Sequence, residues 1–162
     1  MAAPEPPSPI FLSGRAHALP KLAPATAPGI SAPVTDPLPP YAQLLGLTTR
    51  RGDDQALVWI MPFRDEVIGR PGYLHGGAIA GLLEFAALGA LYEALGSREG
   101  VRVKPINVTV DFMRGGTDHE TCAAAVVTRL GNRVANVEAH AWQQDRAKPI
   151  AAAHMNLLLR RS

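Results

Sequence analysis

The sequence predicts an α+β domain in which one long apolar helix lies against an antiparallel β-sheet of five or six strands. Three observations carry this prediction. A glycine-marked turn, Pro71-Gly72-Tyr73-Leu74-His75-Gly76-Gly77, runs straight into Ala78–Leu91, a stretch apolar almost all round and therefore in need of cover on most sides. Later runs alternate apolar and polar residues with the period of two that marks half-buried strands. Short glycine-containing clusters punctuate those runs at turn spacing. One sheet cannot cover a helix of this kind completely, so a second copy of the chain is expected, as a homodimer or as a tetramer built from two dimers.

The bulk composition narrows the class. At 162 residues, with 47% hydrophobic residues, the chain suits a single domain with a real core. A net charge of +2, from 16 basic against 14 acidic residues spread along the chain, is too slight to argue for nucleic acid. The lone cysteine, Cys122, excludes an internal disulfide framework, reads as a small core residue and fits a reducing, cytoplasmic setting. The run Leu74–Leu95 is long and apolar enough to raise a membrane span, but Glu84 at its centre would be costly there, and a buried helix of a soluble domain is expected instead.

In chain order, residues 1–39 hold most of the 15 prolines and few large apolar groups, which reads as a solvated tail or an arm docked on a neighbouring subunit. The cluster Ile10-Phe11-Leu12 is too short for a signal-peptide core and no positive charge precedes it, so no export signal is expected. The domain is expected over residues 40–162. It opens with a short helix at Tyr41–Leu45, stopped by Gly46, and a hairpin of Leu47–Arg51 and Gln55–Met61 around Gly52-Asp53-Asp54. Residues 62–72 read as a charged loop before the long helix, and Gly96 and Gly100 mark the exit from that helix. Strands are then expected at Ile106–Met113, Cys122–Leu130, Arg133–Gln144 and Ile150–Leu159, as an antiparallel meander.

The helix also holds the candidate chemistry. Glu84 has only Ala80, Gly81, Ala87 and Leu88 three and four positions away, so no local cation pairs with this acid. The Gly76-Gly77 start presents backbone N–H groups and the positive end of the helix dipole, suited to a developing oxyanion. Eight residues of helix separate Gly76 from Glu84 by roughly 12 Å, too far for both to act on one carbonyl. Two antiparallel helices across a dimer interface would bring Gly76 of one copy to Glu84 of the other, giving two shared sites.

His75-Gly76-Gly77 after Leu74, an acid nine positions after the histidine, an apolar helix and a following run of four strands together resemble the hotdog-fold acyl-CoA thioesterases, in their phenylacetate-pathway (PaaI-like) branch. The resemblance covers about residues 40–159. It implies that the Gly76 N–H polarises a thioester carbonyl, that Glu84 is nucleophile or general base, and that His75 shapes or polarises that end of the pocket. It implies coenzyme A as part of the substrate and no separate cofactor or metal. Arg114, at the end of a strand, becomes a candidate contact to the coenzyme A phosphates, with Met113, Gly115 and Gly77 beside the same substrate path.

Two positions depart from the family pattern. An Asn or Gln is common six residues before the histidine, where this chain has Gly69, and Ser or Thr is common four residues after the acid, where it has Leu88. The rival readings are a non-catalytic acyl-CoA binder or sensor on the same fold, and a hydratase or dehydratase acting on a thioester-linked acyl chain. His119, His140 and His154 show no metal-ligand spacing and read as structural.

Overall fold

The computed structural model describes residues 38–97 and 99–161. The expectation of a tail or docking arm before Leu38 lies outside the described residues.

The chain enters through α1 (Pro40–Leu44), with Pro40 at the first helical positions, where its fixed φ suits the helix and its missing N–H costs nothing. Gly46 then turns the chain at φ +65°. The Arg64 guanidinium donates to the carbonyls of Gln43 and Leu44, which closes the C-terminal end of α1. β1 (Thr48–Arg51) and β2 (Leu57–Met61) pair antiparallel as expected. The left-handed residue of their turn is Gln55, and the Asp54 carboxylate accepts from the Ala56 N–H at 3.2 Å.

The charged segment expected as a loop carries structure of its own. It forms a 3₁₀ turn, Asp65–Val67, and a small two-stranded sheet of β3 (Ile68–Arg70) and β4 (Tyr73–Leu74). Elements of two or three residues are too short for a periodic pattern to reveal. β4 leads directly into α2 (Gly76–Leu95), which ends at Gly96 with φ +69°.

The four later strands are β5 (Val101–Phe112), β6 (Thr121–Leu130), β7 (Val134–Trp142) and β8 (Ala151–Arg161), and the main sheet runs β1-β2-β6-β7-β8-β5. The expected four-strand meander therefore holds for β6–β8 only. β5 pairs with β8 and β6 pairs with β2, so the connection after β5 crosses the end of the sheet. Gly115 and Gly116 serve that crossing and not a tight turn: an added Cβ would meet Tyr73 Cδ1 at 3.0 Å and Leu74 Cδ1 at 2.7 Å respectively. The Leu74 N–H donates to the Gly116 carbonyl at 2.9 Å, and the Gln143 amide holds Thr117 and His119 from the end of β7.

β5 starts five residues before its expected position and includes Pro105, which an edge strand tolerates. A register shift between Pro105 and Asn107 places Ile106 in a bulge. Without it Val103 and Val110, an odd number of positions apart, could not share one face. With it both lie on the core face, opposite Leu159 and Ala153.

α2 packs on that core face. Leu82, Leu83 and Leu91 are fully buried against residues that include Met61, Val137, Met155 and Leu157, each such side chain contributing roughly 1.5–3 kcal/mol of transfer free energy. Beneath the helix, register pairs set alanines in two rows across β6, β7 and β8: Ala123-Ala141-Ala151 and Ala125-Ala139-Ala153. By length and composition α2 could cross a membrane, yet half of it is buried within the domain. A stripe comprising Ala80, Glu84 and Leu88 stays half-open, so the sheet alone does not enclose the helix. On the opposite sheet face Cys122 is buried beside Val58, Ala124 and Trp142, and burial raises its thiol pKa, as expected of a core residue.

Candidate active site

The first turn of α2 is built around His75. Its backbone is extended (φ −72°, ψ 133°), its N–H donates to the Val67 carbonyl at 2.8 Å, and its ring Nδ1 accepts from the Gly77 N–H at 2.9 Å. An accepting Nδ1 carries no proton, so in the neutral ring the proton sits on Nε2, which is left as a donor. The His75 carbonyl takes the N–H groups of Ala78 (3.0 Å) and Ile79 (3.2 Å). Among the described residues the Gly76 N–H has no partner. One amide of the turn is thus left open, and it lies at the positive end of the dipole of α2.

The small residues here are set by close contacts. A Cβ on Gly77 would lie 2.9 Å from His75 Nδ1, and one on Gly76 would lie 3.2 Å from Phe112 Cζ. A Cβ on Gly69 would lie 2.8 Å from His75 Cα, so β3 passes the histidine backbone too closely for a side chain. Gly69→Ala is accordingly expected to destabilise the domain by about 1–3 kcal/mol in urea unfolding. An unchanged midpoint would show that β3 yields freely.

Glu84 lies two turns along α2, half-buried on the open stripe, with no hydrogen bond or ion pair among the described residues. It does not reach the first turn of its own helix, and the roughly 12 Å separation stands. Leu88 follows it on the stripe, half-buried.

The sequence profile of the thioesterase superfamily matches residues 71–150, a segment that spans the first turn, Glu84 and β5–β7. The chain belongs to the thioesterase superfamily. Its architecture is the hotdog fold found in solved structures of that group. A Chromobacterium violaceum protein is 33% identical, with 74% of this chain and 82% of that one covered and a TM-score of 0.57. A Bacillus halodurans protein solved with coenzyme A is 18% identical over 79% and 83%, with a TM-score of 0.68. A phenylacetic acid degradation-related protein of Ralstonia eutropha is 23% identical over 75% and 91%, with a TM-score of 0.64. No curated protein sequence matches the chain.

Within this superfamily member the strand end beyond β5 turns beside the candidate site. The N–H groups of Met113 and Arg114 both donate to the Ile150 carbonyl (2.9 and 3.1 Å), leaving the Met113 side chain exposed and the Arg114 side chain on a cleft shared with Gly115 and Lys148. Two further residues reach α2 that the sequence reading did not place there. The Phe112 ring, 55% exposed, stands over Gly76. Tyr41 of α1 lies against Gly81 and stacks at a tilt on Phe85, its hydroxyl 3.4 Å from the Gly77 carbonyl. Both are brought in by tertiary packing, and no local motif signals either. Among the described residues no three His, Cys, Asp or Glu side chains cluster as a metal site; His154 instead lies 3.6 Å from Glu138 on the outer sheet face.

Proposed function

We propose that the protein hydrolyses an acyl-CoA thioester to a carboxylic acid and coenzyme A, at two equivalent sites shared between the copies of a homodimer or of a dimer of dimers. The observation that carries this reading is the open amide of Gly76 at the start of α2, with the carboxylate of Glu84 on the open stripe of the same helix, both without a partner among the described residues. The carbonyl oxygen of the substrate would sit on the Gly76 N–H and the helix dipole, with His75 Nε2 as a second donor at that end. Glu84 of the facing copy would take a proton from the water that attacks the carbonyl carbon, or attack that carbon itself to form a mixed anhydride that water then hydrolyses; on either route the C–S bond breaks, the thiolate leaves and is protonated as coenzyme A, and the acyl group ends as the carboxylic acid. These groups suffice without metal or redox chemistry, and coenzyme A enters only as part of the substrate. The free edge of β5, with Ile106, Val108 and Phe112 exposed, supports a second copy as the cover for this side of the domain.

The sharing of sites has a direct test. Glu84→Gln and Gly76→Pro chains, each inactive as homodimers, are expected to recover about a quarter of the wild-type rate when co-assembled at equal amounts, since half the dimers are mixed and each mixed dimer holds one intact site. No recovery, with mixed dimers verified by native mass spectrometry, would place both groups in one chain and sink the shared site.

Gly69 favours a second reading, because its position has no room for the amide side chain common there in the resembled family. On that reading the protein binds acyl-CoA without turning it over. Absence of thiol release from short, medium, long and aromatic acyl-CoAs, alongside measurable binding, would establish it.

A further inference from the structure

Basic residues scattered along the sequence gather at one end of the main sheet, where β5 and β7 begin and β6 and β8 finish. Arg102 and Lys104 stand on β5, Arg129 near the end of β6, Arg133 in the β6–β7 turn, and Arg160 and Arg161 at the end of β8, all of them exposed. We propose that this fringe of cations, together with the exposed Leu130 among them, docks the protein on an anionic lipid bilayer. The inference is independent of the thioester reading, since the fringe lies at the far end of α2 from Gly76.

The strand register sets the crowding. Arg102 and Arg160 are direct cross-strand partners, and Val101 lies opposite Arg161. The Leu159 N–H donates to the Arg133 carbonyl at 2.8 Å, which ties the β6–β7 turn to the end of β8. Three strand spacings separate β6 from β5, so the cations are spread over about 15 Å. Neighbours within that width lie inside one Debye length at physiological salt, and their fields add. Not one of these six side chains makes an ion pair among the described residues. Residues 99–104, 129–134 and 157–161 hold one carboxylate, Glu99. Like charges placed directly opposite each other cost stability. An anionic surface outside the chain would offset that repulsion.

The apolar neighbour decides the class of surface. Leu130, 44% exposed, lies at the tip of the β6–β7 hairpin between Arg129 and Arg133. The Gly131 N–H donates to the Val134 carbonyl at 3.0 Å, and a Cβ on Gly131 would lie 2.8 Å from that oxygen, so the tip has a fixed, tight shape. A leucine flanked by cations suits the headgroup boundary, where cations meet lipid phosphates while the apolar group enters the acyl layer. The same three segments hold no aromatic ring on which nucleic-acid bases could stack. The 20 residues of α2 hold Gly76 about 30 Å from this end, so docking leaves the first turn of that chain's helix uncovered.

Co-sedimentation of the full chain with vesicles tests the proposal. Wild type is expected to pellet with phosphatidylcholine vesicles containing about one-third phosphatidylglycerol and not with phosphatidylcholine alone, and to be released as salt rises from about 0.05 to about 0.5 M. Arg102→Gln and Arg160→Gln should each weaken the partition coefficient about fivefold, and together about 25-fold. The double variant should melt no earlier than wild type, because the repulsion between the two positions is relieved. Arg102→Lys with Arg160→Lys should retain binding, since a bilayer reads charge and not guanidinium geometry. Leu130→Ser should weaken binding at every salt concentration. Arg70→Gln, an equal loss of charge on β3, should leave it unchanged. No pelleting with anionic vesicles at low salt overturns the proposal. So does an Arg70→Gln loss equal to that of Arg102→Gln, which would assign the binding to net charge. Retention on immobilised heparin through the fringe cations, without vesicle binding, overturns the lipid surface and assigns the fringe to a soluble acidic macromolecule.

Discussion

Glu84→Gln is expected to lower thioester hydrolysis by about 10³-fold while acyl-CoA binding and the melting temperature stay close to wild type. The two side chains have the same shape, but the amide can neither attack a carbonyl nor accept a proton from water. A structural acid would behave otherwise: removing one partner of a buried pair leaves an uncompensated group and destabilises the fold. Glu84 has no such partner among the described residues and sits half-exposed on the open stripe of α2. Neutralising it removes a desolvation cost and orphans nothing. Thiol release and thermal unfolding on the same preparations decide the matter. A variant that keeps more than a tenth of the rate removes Glu84 from the chemistry, and one that unfolds early assigns it to the fold.

Gly76→Pro should lower kcat by about 10²–10³-fold with little change in KM. Proline suits the first position of a helix, and His75 before it is already in the extended region that a residue preceding proline adopts. The substitution therefore deletes one N–H and leaves α2 in place, which circular dichroism would verify. Gly76→Ala is the control for size. It retains the N–H, and its Cβ meets the outer end of the Phe112 ring, Cζ at 3.2 Å and Cε1 at 3.4 Å, a side chain that can turn aside. Alanine retaining most of the rate while proline loses it ties the effect to the amide proton. Equal losses in the two would assign it to crowding against Phe112.

What could be read from the sequence follows the range of each signal along the chain. The ends of α2 were legible because capping is local: His75 with two glycines at the start and Gly96 at the exit lie within a turn of the helix they bound. The strands β6, β7 and β8 were legible because alternation and tight turns are local as well. The partner of β5 was not. Its pairing with β8 joins residues about fifty positions apart, and the bulge at Ile106 that aligns its two halves breaks the very alternation from which strands are read. The candidate site divides in the same way. His75, Gly76 and Glu84 share one helix and appear as a spacing, whereas Tyr41, Phe112 and Lys148 arrive from three other segments and carry no spacing at all. Gly69, visible beforehand only as a departure from a pattern, acquires a cause from its distance to His75 Cα.

The two rows of alanines beneath α2 act as a shim whose thickness sets how high the helix rides. Gly76 and Glu84 are rigidly fixed to that helix at opposite ends of about two turns, so in the proposed pair any change of height would move the donor of one site and the acid of the other together. Broadening Ala139, which is fully buried, would therefore detune both sites of the proposed pair at one stroke. In a protein of this design, the residues least free to grow are methyl groups on the floor.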